Sequence, residues 1–71
     1  METKREKFVR LAESRMTNTL KQIELLSNLS NTRAYEYTQE DVDKMIKTLK
    51  KAINELEYSY KKENKNKKFI L

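Results

Sequence analysis

The 71-residue sequence contains no glycine, proline, cysteine or histidine. Without glycine and proline, a helix can continue over a long stretch without a residue that breaks it. Without cysteine and histidine, the chain has no disulfide and lacks the usual ligands of structural zinc, so we expect no metal and no cofactor. The same absences remove the common catalytic bases and nucleophiles, and the acidic residues are spread along the chain. We therefore expect that the protein is not an enzyme.

The chain is also short, which limits the hydrophobic core that it can form. A domain of this size usually gains only about 3–5 kcal/mol of net stability from its core. Small domains often add a disulfide or a metal, and both are excluded by the composition. Self-association or a binding partner is then the expected source of further stability.

No long apolar run occurs in the sequence. The first residues, Met1–Lys7, are mostly charged, whereas a signal peptide carries an apolar segment near its start. A membrane-spanning helix needs roughly 20 consecutive apolar residues. We therefore expect a cytoplasmic protein without a membrane partner.

The first predicted helix covers residues 4–29. Thr3 stands three residues before Glu6, the spacing at which the two side chains can satisfy each other's free backbone N–H groups at a helix start. The apolar positions then follow helical three-four spacing and occupy roughly half of the helix circumference. The central positions are Val9, Ala12, Met16, Thr19, Ile23 and Leu26, and the flanking ones are Phe8, Leu11, Leu20, Leu25 and Leu29.

The second predicted helix covers residues 39–62. Thr38 and Asp41 have the same reciprocal capping spacing, and Glu40 adds negative charge beside the positive end of the helix dipole. Acid-first pairs at four-residue spacing should support the exposed side: Glu40 with Lys44, Asp43 with Lys47, and Glu57 with Lys61. The apolar stripe is regular and narrower: Val42, Met45, Ile46, Leu49, Ala52, Ile53, Leu56 and Tyr60.

The connection over residues 28–37 is rich in asparagine and serine, which favour turns. The sequence thus predicts an all-α fold, an antiparallel two-helix hairpin. One helix cannot cover the wide apolar face of its neighbour. We predict that two hairpins dimerise into a four-helix bundle. The alternatives are a monomer that keeps the face for a target, or a third helix formed by the tail.

The formal net charge is +5, and most of the excess lies near the carboxyl end. Residues 63–71 form a basic tail, predicted to be disordered, whose lysines would attract any polyanion. The final segment Phe69-Ile70-Leu71 either docks on the helices or ends the chain without a contact. Lys44, Lys47 and Lys51 fall within about 60° on the outer side of the second helix, which is either a solvated exterior or a phosphate contact. The candidate nucleic-acid-binding residues are Lys44, Lys47, Lys51, Lys61, Lys62, Lys65, Lys67 and Lys68.

Three polar residues interrupt the wide face of the first helix: Arg15, Asn18 and Gln22. They either extend to the rim with the arginine stem buried, fix the register of a bundle, or contact a target. Tyr35 and Tyr58 are further candidates for contact with a base or a partner protein. The candidate partner-binding residues are therefore Arg15, Asn18, Gln22, Tyr35 and Tyr58.

Several short motifs occur in a fixed order within residues 8–46. They are R-L-A-E-S-R at residues 10–15, N-L-S-N at residues 28–31 and Y-E-Y-T-Q-E-D-V at residues 35–42. The pattern resembles a family of small proteins of low-GC bacteria, their phages and mobile elements, with R-L-A-E-x-R, N-L-S-N and Y-x-Y-T-x-E-D-V motifs. The resemblance implies a mobile-element setting and assigns no functional residue.

The charge distribution separates two non-enzymatic functions. Because the body of the chain is nearly neutral, we favour a protein-binding module that occludes a host protein such as a defence or replication enzyme. The alternative is a dimeric helical hairpin that binds RNA or DNA, an analogy of shape with other bundles. A third hypothesis is a structural subunit of a larger assembly.

Overall fold

The protein is all-helical over the part that the structure describes. The computed structural model describes the backbone of residues 1–68 and the side chains of residues 1–63. It contains two helices, α1 (Lys4–Asn28) and α2 (Gln39–Lys68), and residues 1–68 contain no strand. The chain divides into two units, Met1–Glu36 and Tyr37–Leu71, each with one helix. The predicted all-α class and both predicted helix starts are confirmed.

The start of α1 is closed by the capping box that the sequence predicts. The backbone N–H of Glu6 donates to Thr3 Oγ1 at 3.0 Å, and the backbone N–H of Thr3 donates to Glu6 Oε1 at 3.0 Å. The hydrogen bond from the backbone of Thr3, followed by that with its side chain, lowers the pKa of Glu6 from its ordinary value. Two free donors of the first turn are thereby satisfied.

The end of α1 lies in an asparagine- and serine-rich segment. Leu29 caps the helix in a right-handed helical conformation, and its N–H bonds back to Leu26 and Ser27. Asn31 then forms a turn: its side-chain oxygen accepts from the N–H of Arg33 at 3.1 Å, and its carbonyl oxygen accepts from the N–H of Tyr35 at 3.0 Å. The helix therefore stops without glycine because local side-chain bonds compete with its continuation.

The start of α2 repeats the reciprocal cap. The N–H of Asp41 donates to Thr38 Oγ1 at 3.1 Å, and the N–H of Thr38 donates to Asp41 Oδ2 at 2.9 Å. Of the expected four-apart pairs, Glu40 with Lys44 at 3.8 Å and Glu57 with Lys61 at 3.7 Å are present. The third differs, because the Asp43 carboxylate accepts a hydrogen bond from Gln39 Nε2 at 2.9 Å.

The carboxyl end of α2 differs from the sequence-based boundary. The helix continues past residue 62 to Lys68, and the following Phe69-Ile70-Leu71 lies outside the described residues. The segment contains no glycine or proline that would stop a helix, and lysine and glutamate have favourable helix propensity. The polarity of this segment is thus compatible with a helical backbone.

Neither helix has a buried face in the part of the chain where burial is described. Among residues 1–63 no side chain is buried. The partly covered apolar side chains are Val9, Leu11, Ala12, Val42 and Leu49. The helices are therefore held by their backbone bonds, caps and local pairs, and their apolar stripes remain accessible to a partner.

The cap of α2 supplies a testable stability effect. Replacing Thr38 by alanine removes the acceptor for the Asp41 N–H, so the free energy of unfolding should fall by about 1 kcal/mol. The matched control is Thr48→Ala, because the Thr48 hydroxyl bonds only to the Lys44 carbonyl within the helix and alanine has the higher helix propensity. Thermal unfolding followed by circular dichroism should show destabilisation by Thr38→Ala alone. Equal losses in the two variants would contradict the capping role.

Candidate binding surfaces

The widest apolar surface of α1 is a continuous row that we call the α1 stripe. At about 100° per residue its members fall within roughly one third of the circumference. Ile23, at the centre of the arc that the stripe covers, is 38% exposed, and Leu26 at its carboxyl end is 37% exposed. Thr19 interrupts the row, but its hydroxyl donates to the Arg15 carbonyl at 2.8 Å and is satisfied within the helix. The α1 stripe consists of Phe8, Val9, Ala12, Met16, Leu20, Ile23 and Leu26.

A second apolar row, which we call the leucine ridge, runs beside the α1 stripe. It consists of Leu11, Leu25 and Leu29. The candidate partner-binding residues Arg15, Asn18 and Gln22, which we call the polar triad, interrupt this ridge along the helix axis between Leu11 and Leu25. All three are exposed and are three or four residues apart, so they share one face of α1. The structure thus brings these three sequence-predicted candidates together.

The outer start of α1 is organised by contacts that the sequence analysis did not identify. Arg10 Nε donates to Glu2 Oε1 at 2.8 Å, and Arg10 Nη2 donates to Glu2 Oε2 at 3.1 Å. This two-bond contact raises the pKa of Arg10 from its ordinary value. Arg5 lies 5.7 Å from the centre of the Phe8 ring, a cation–π distance. An eight-residue separation gives no helical-pair signal, which is why pattern reasoning missed the first contact.

The main apolar surface of α2 spans about one third of the circumference, like the α1 stripe, and it is equally accessible. We call it the α2 stripe, and Ile53 within it is 58% exposed. Val42 and Leu49 are partly covered by their own helix. The α2 stripe consists of Val42, Met45, Ile46, Leu49, Ala52, Ile53, Leu56 and Tyr60.

The other side of α2 carries the lysines proposed from the sequence. We define the lysine–tyrosine face as the exposed side chains within about 100° of one another around α2. Tyr58 lies near the centre of this face. The composition of the segment does not show this grouping, whereas the helical spacing of the tyrosine and the lysines places them on one side of α2. The members are Lys44, Lys47, Lys51, Tyr58, Lys61 and Lys62.

The remaining candidate residues are placed as follows. Tyr35 is half-exposed in the connection after α1, and it belongs to the first unit, whereas Tyr58 belongs to the second. The backbones of Lys65, Lys67 and Lys68 lie in α2. The side chains of these three lysines are outside the described residues, so their contribution to a binding surface stays a prediction.

The described residues provide surfaces rather than an enclosed site. The depression along α1 between Arg5 and Asn18 is shallow and open to solvent. Residues 1–68 contain no group of three or more acidic, histidine or cysteine side chains placed to hold a metal ion. Over the same part of the chain, neither helix has a stretch long and apolar enough to cross a membrane. No protein-family model, curated protein or solved structure matches this chain.

Proposed function

We propose that this chain is a non-enzymatic helical binding protein. In this proposal two copies associate through their apolar stripes, and the dimer binds and occludes a host protein through α1. The observation that carries the proposal is the exposure of the α1 stripe and of the leucine ridge, which the polar triad interrupts between Leu11 and Leu25. One helix thus presents two apolar rows, which is more than one neighbouring helix can cover.

Self-association is supported by the energetics of the stripes. Fully burying a leucine or isoleucine side chain contributes about 1.5–3 kcal/mol relative to its exposed state. A chain of 71 residues has little other means of gaining stability, since it has no cysteine. We propose that each chain folds as an antiparallel hairpin and that two hairpins form a four-helix bundle, the arrangement in which facing stripes are shared by four helices.

Target binding is assigned to the polar triad and the leucine ridge. A binding surface commonly combines apolar anchors with a few polar groups that select the partner. Arg15 supplies charge and directional donors, and Asn18 and Gln22 supply amide donors and acceptors. These groups lie beside the leucines, so a partner helix or loop can contact both kinds of side chain at once. The proposal therefore separates the dimer surface from the target surface.

A host protein is the proposed target because the sequence motifs resemble those of phage and mobile-element proteins. A small element-encoded protein without catalytic groups acts by covering a surface that another protein needs. A defence or replication enzyme is the proposed class of target. A structural subunit of a larger assembly would use the same surfaces, but it would bind the other subunits of that assembly rather than a host enzyme.

The test is capture from a lysate of a low-GC bacterium with the tagged full-length chain. The variant carries Arg15→Glu and Gln22→Glu, which reverse the charge pattern of the polar triad. The matched control carries Thr17→Glu and Lys21→Glu, which change the net charge equally at positions about 100° or more around α1 from Arg15 and Gln22. We expect a stoichiometric partner to be retained by the unmodified chain and by the control and to be lost by the variant.

Sedimentation must accompany the capture experiment, because loss of the dimer alone could remove the partner. All three proteins are expected to remain dimers. If the triad variant and the control retain the partner equally, the polar triad is not the target surface. If the unmodified chain retains no protein in stoichiometric amount, the proposed function is wrong.

A further inference from the structure

The lysine–tyrosine face of α2 has the composition of a polyanion-binding surface. Its five lysines are distributed over residues 44–62 on one side of the helix. Lys47 and Lys51 are four residues apart, as are Tyr58 and Lys62, which is just over one helical turn and about 6 Å along the axis. Between residues 44 and 62, no acidic side chain falls within the arc of about 100° that the face covers. The face can thus place several cations along one extended negative chain.

The charges on this face are only partly compensated. Lys44 pairs with Glu40 at 3.8 Å and Lys61 pairs with Glu57 at 3.7 Å. The side chains of both lysines remain largely exposed, so these surface ion pairs are weak and can be exchanged for a stronger anion. Three further lysines form no ion pair with any side chain of residues 1–63: Lys47, Lys51 and Lys62.

Tyr58 distinguishes this face from an ordinary solvated helix exterior. Its side chain is 66% exposed, the highest value of the four tyrosines. An exposed aromatic ring among lysines provides a surface on which a base can stack while the neighbouring ammonium groups contact phosphates. Stacking requires an unpaired base, because the faces of the bases in a duplex are already stacked on each other. The chemistry therefore favours a single strand.

The face is also independent of the proposed dimer surface. The α2 stripe lies on the opposite side of the helix, with Leu49 about 180° and Ile53 about 140° from Tyr58 at helical spacing. A ligand on the lysine–tyrosine face does not compete with a helix on the α2 stripe. A membrane is less suitable, because an interfacial helix inserts its apolar stripe and would leave Tyr58 in water.

We propose that the lysine–tyrosine face binds single-stranded nucleic acid, with Tyr58 stacking on a base and the surrounding lysines contacting phosphates. This second function does not depend on host-protein occlusion. It also differs from nonspecific attraction by the basic tail, because it requires a particular ring and particular lysines within the described part of α2.

The test is fluorescence anisotropy of a labelled oligothymidylate with the full-length chain across a potassium chloride titration. Tyr58→Ala should weaken binding about tenfold, the loss typical of one stacked base. Tyr58→Phe should bind like the unmodified chain because the ring is kept. The comparison variant is Tyr35→Ala, which removes an exposed tyrosine outside the face and should weaken binding much less than Tyr58→Ala.

A charge-reversal pair tests the lysines. Lys47→Glu with Lys51→Glu should reduce the slope of log affinity against log salt by about 1.4, from two lost phosphate contacts to a single strand. Lys7→Glu with Lys21→Glu changes the net charge equally on α1 and should have a much smaller effect. The basic tail is present in all variants, so it cannot cause a difference among them. Circular dichroism verifies that each variant remains helical.

The proposal is wrong if both charge-reversal pairs weaken binding equally, since net charge alone would then explain it. It is also wrong if Tyr58→Ala binds like the unmodified chain, or if a duplex of the same length binds as tightly as the single strand. Anionic phospholipid vesicles or polyglutamate that compete as well as the oligonucleotide would likewise overturn it. None of these outcomes affects the capture of a host protein through the polar triad.

Discussion

Replacing Ile23 by aspartate is expected to weaken self-association by on the order of 1,000-fold. Ile23 lies at the centre of the arc that the α1 stripe covers around the helix, and it is 38% exposed in the single chain. Association through the stripe would therefore bury it. A buried carboxylate without a partner costs about 3–5 kcal/mol, and each 1.4 kcal/mol is a tenfold change in the dissociation constant. Because we propose that the chain depends on association for stability, its helicity should fall together with the dimer.

The control for this prediction is Thr17→Asp. It introduces the same side chain into the same helix, but roughly 120° away on the polar side of α1. Sedimentation and circular dichroism, measured over a range of protein concentrations, should show an intact helical dimer for Thr17→Asp and a dissociated, less helical chain for Ile23→Asp. Equal behaviour of the two variants would mean that the α1 stripe does not form the association surface.

Replacing the whole polar triad by leucine is expected to have the opposite effect on association. Arg15, Asn18 and Gln22 interrupt the apolar surface of α1 between Leu11 and Leu25. With leucine at all three positions, α1 would present one uninterrupted apolar surface, and large exposed surfaces of this kind promote association. The variant should form species larger than the proposed dimer and melt at a higher temperature, and it should not capture the proposed host partner.

A conservative variant tests whether the polarity of the triad side chains or their exact geometry matters in that experiment. Arg15→Lys with Gln22→Asn keeps the polarity of the triad, so it should remain a dimer, although the loss of the planar guanidinium should weaken target capture. Light scattering together with capture measures both properties. If the triple leucine variant stays a dimer and still retains the partner, the triad neither limits association nor recognises a target.

The parts of the structure that depend on short sequence spacing were predictable. The reciprocal caps at Thr3 and Thr38 need only two residues three positions apart, and both are present with hydrogen bonds of 2.9–3.1 Å. The absence of glycine and proline explains why both helices are long. The turn-forming role of Asn31 also follows from its side chain, which can bond to the backbone two residues later.

Features that depend on competition between neighbours were harder to predict. Asp43 had two possible partners at four-residue spacing, and it bonds to Gln39 rather than to Lys47. Helix α2 continues past residue 62 through Lys68, and residues 63–68 contain no glycine or proline, so the polar composition of this segment predicted too early an end. The contact between Glu2 and Arg10 joins a residue before the helix to one within it, and helical spacing does not predict such a pair.

The sequence predicts which residues share a helix face, but it does not predict what each face binds. Counting at helical spacing places the polar triad beside the leucines and Tyr58 among the lysines. Whether a face binds a protein or a nucleic acid depends on the shape and charge of the partner, and the sequence of this chain does not contain them. Exposure of both stripes supports binding in general, whereas the specific residues require the variants described above.

Sedimentation equilibrium of the unmodified full-length chain tests the central claim most directly, because that claim is that a second copy covers the apolar stripes. We predict a dimer at micromolar concentration, with helicity that falls as the protein is diluted. A chain that remains monomeric at all concentrations and still unfolds cooperatively would contradict the account, since its stripes would then need no second molecule.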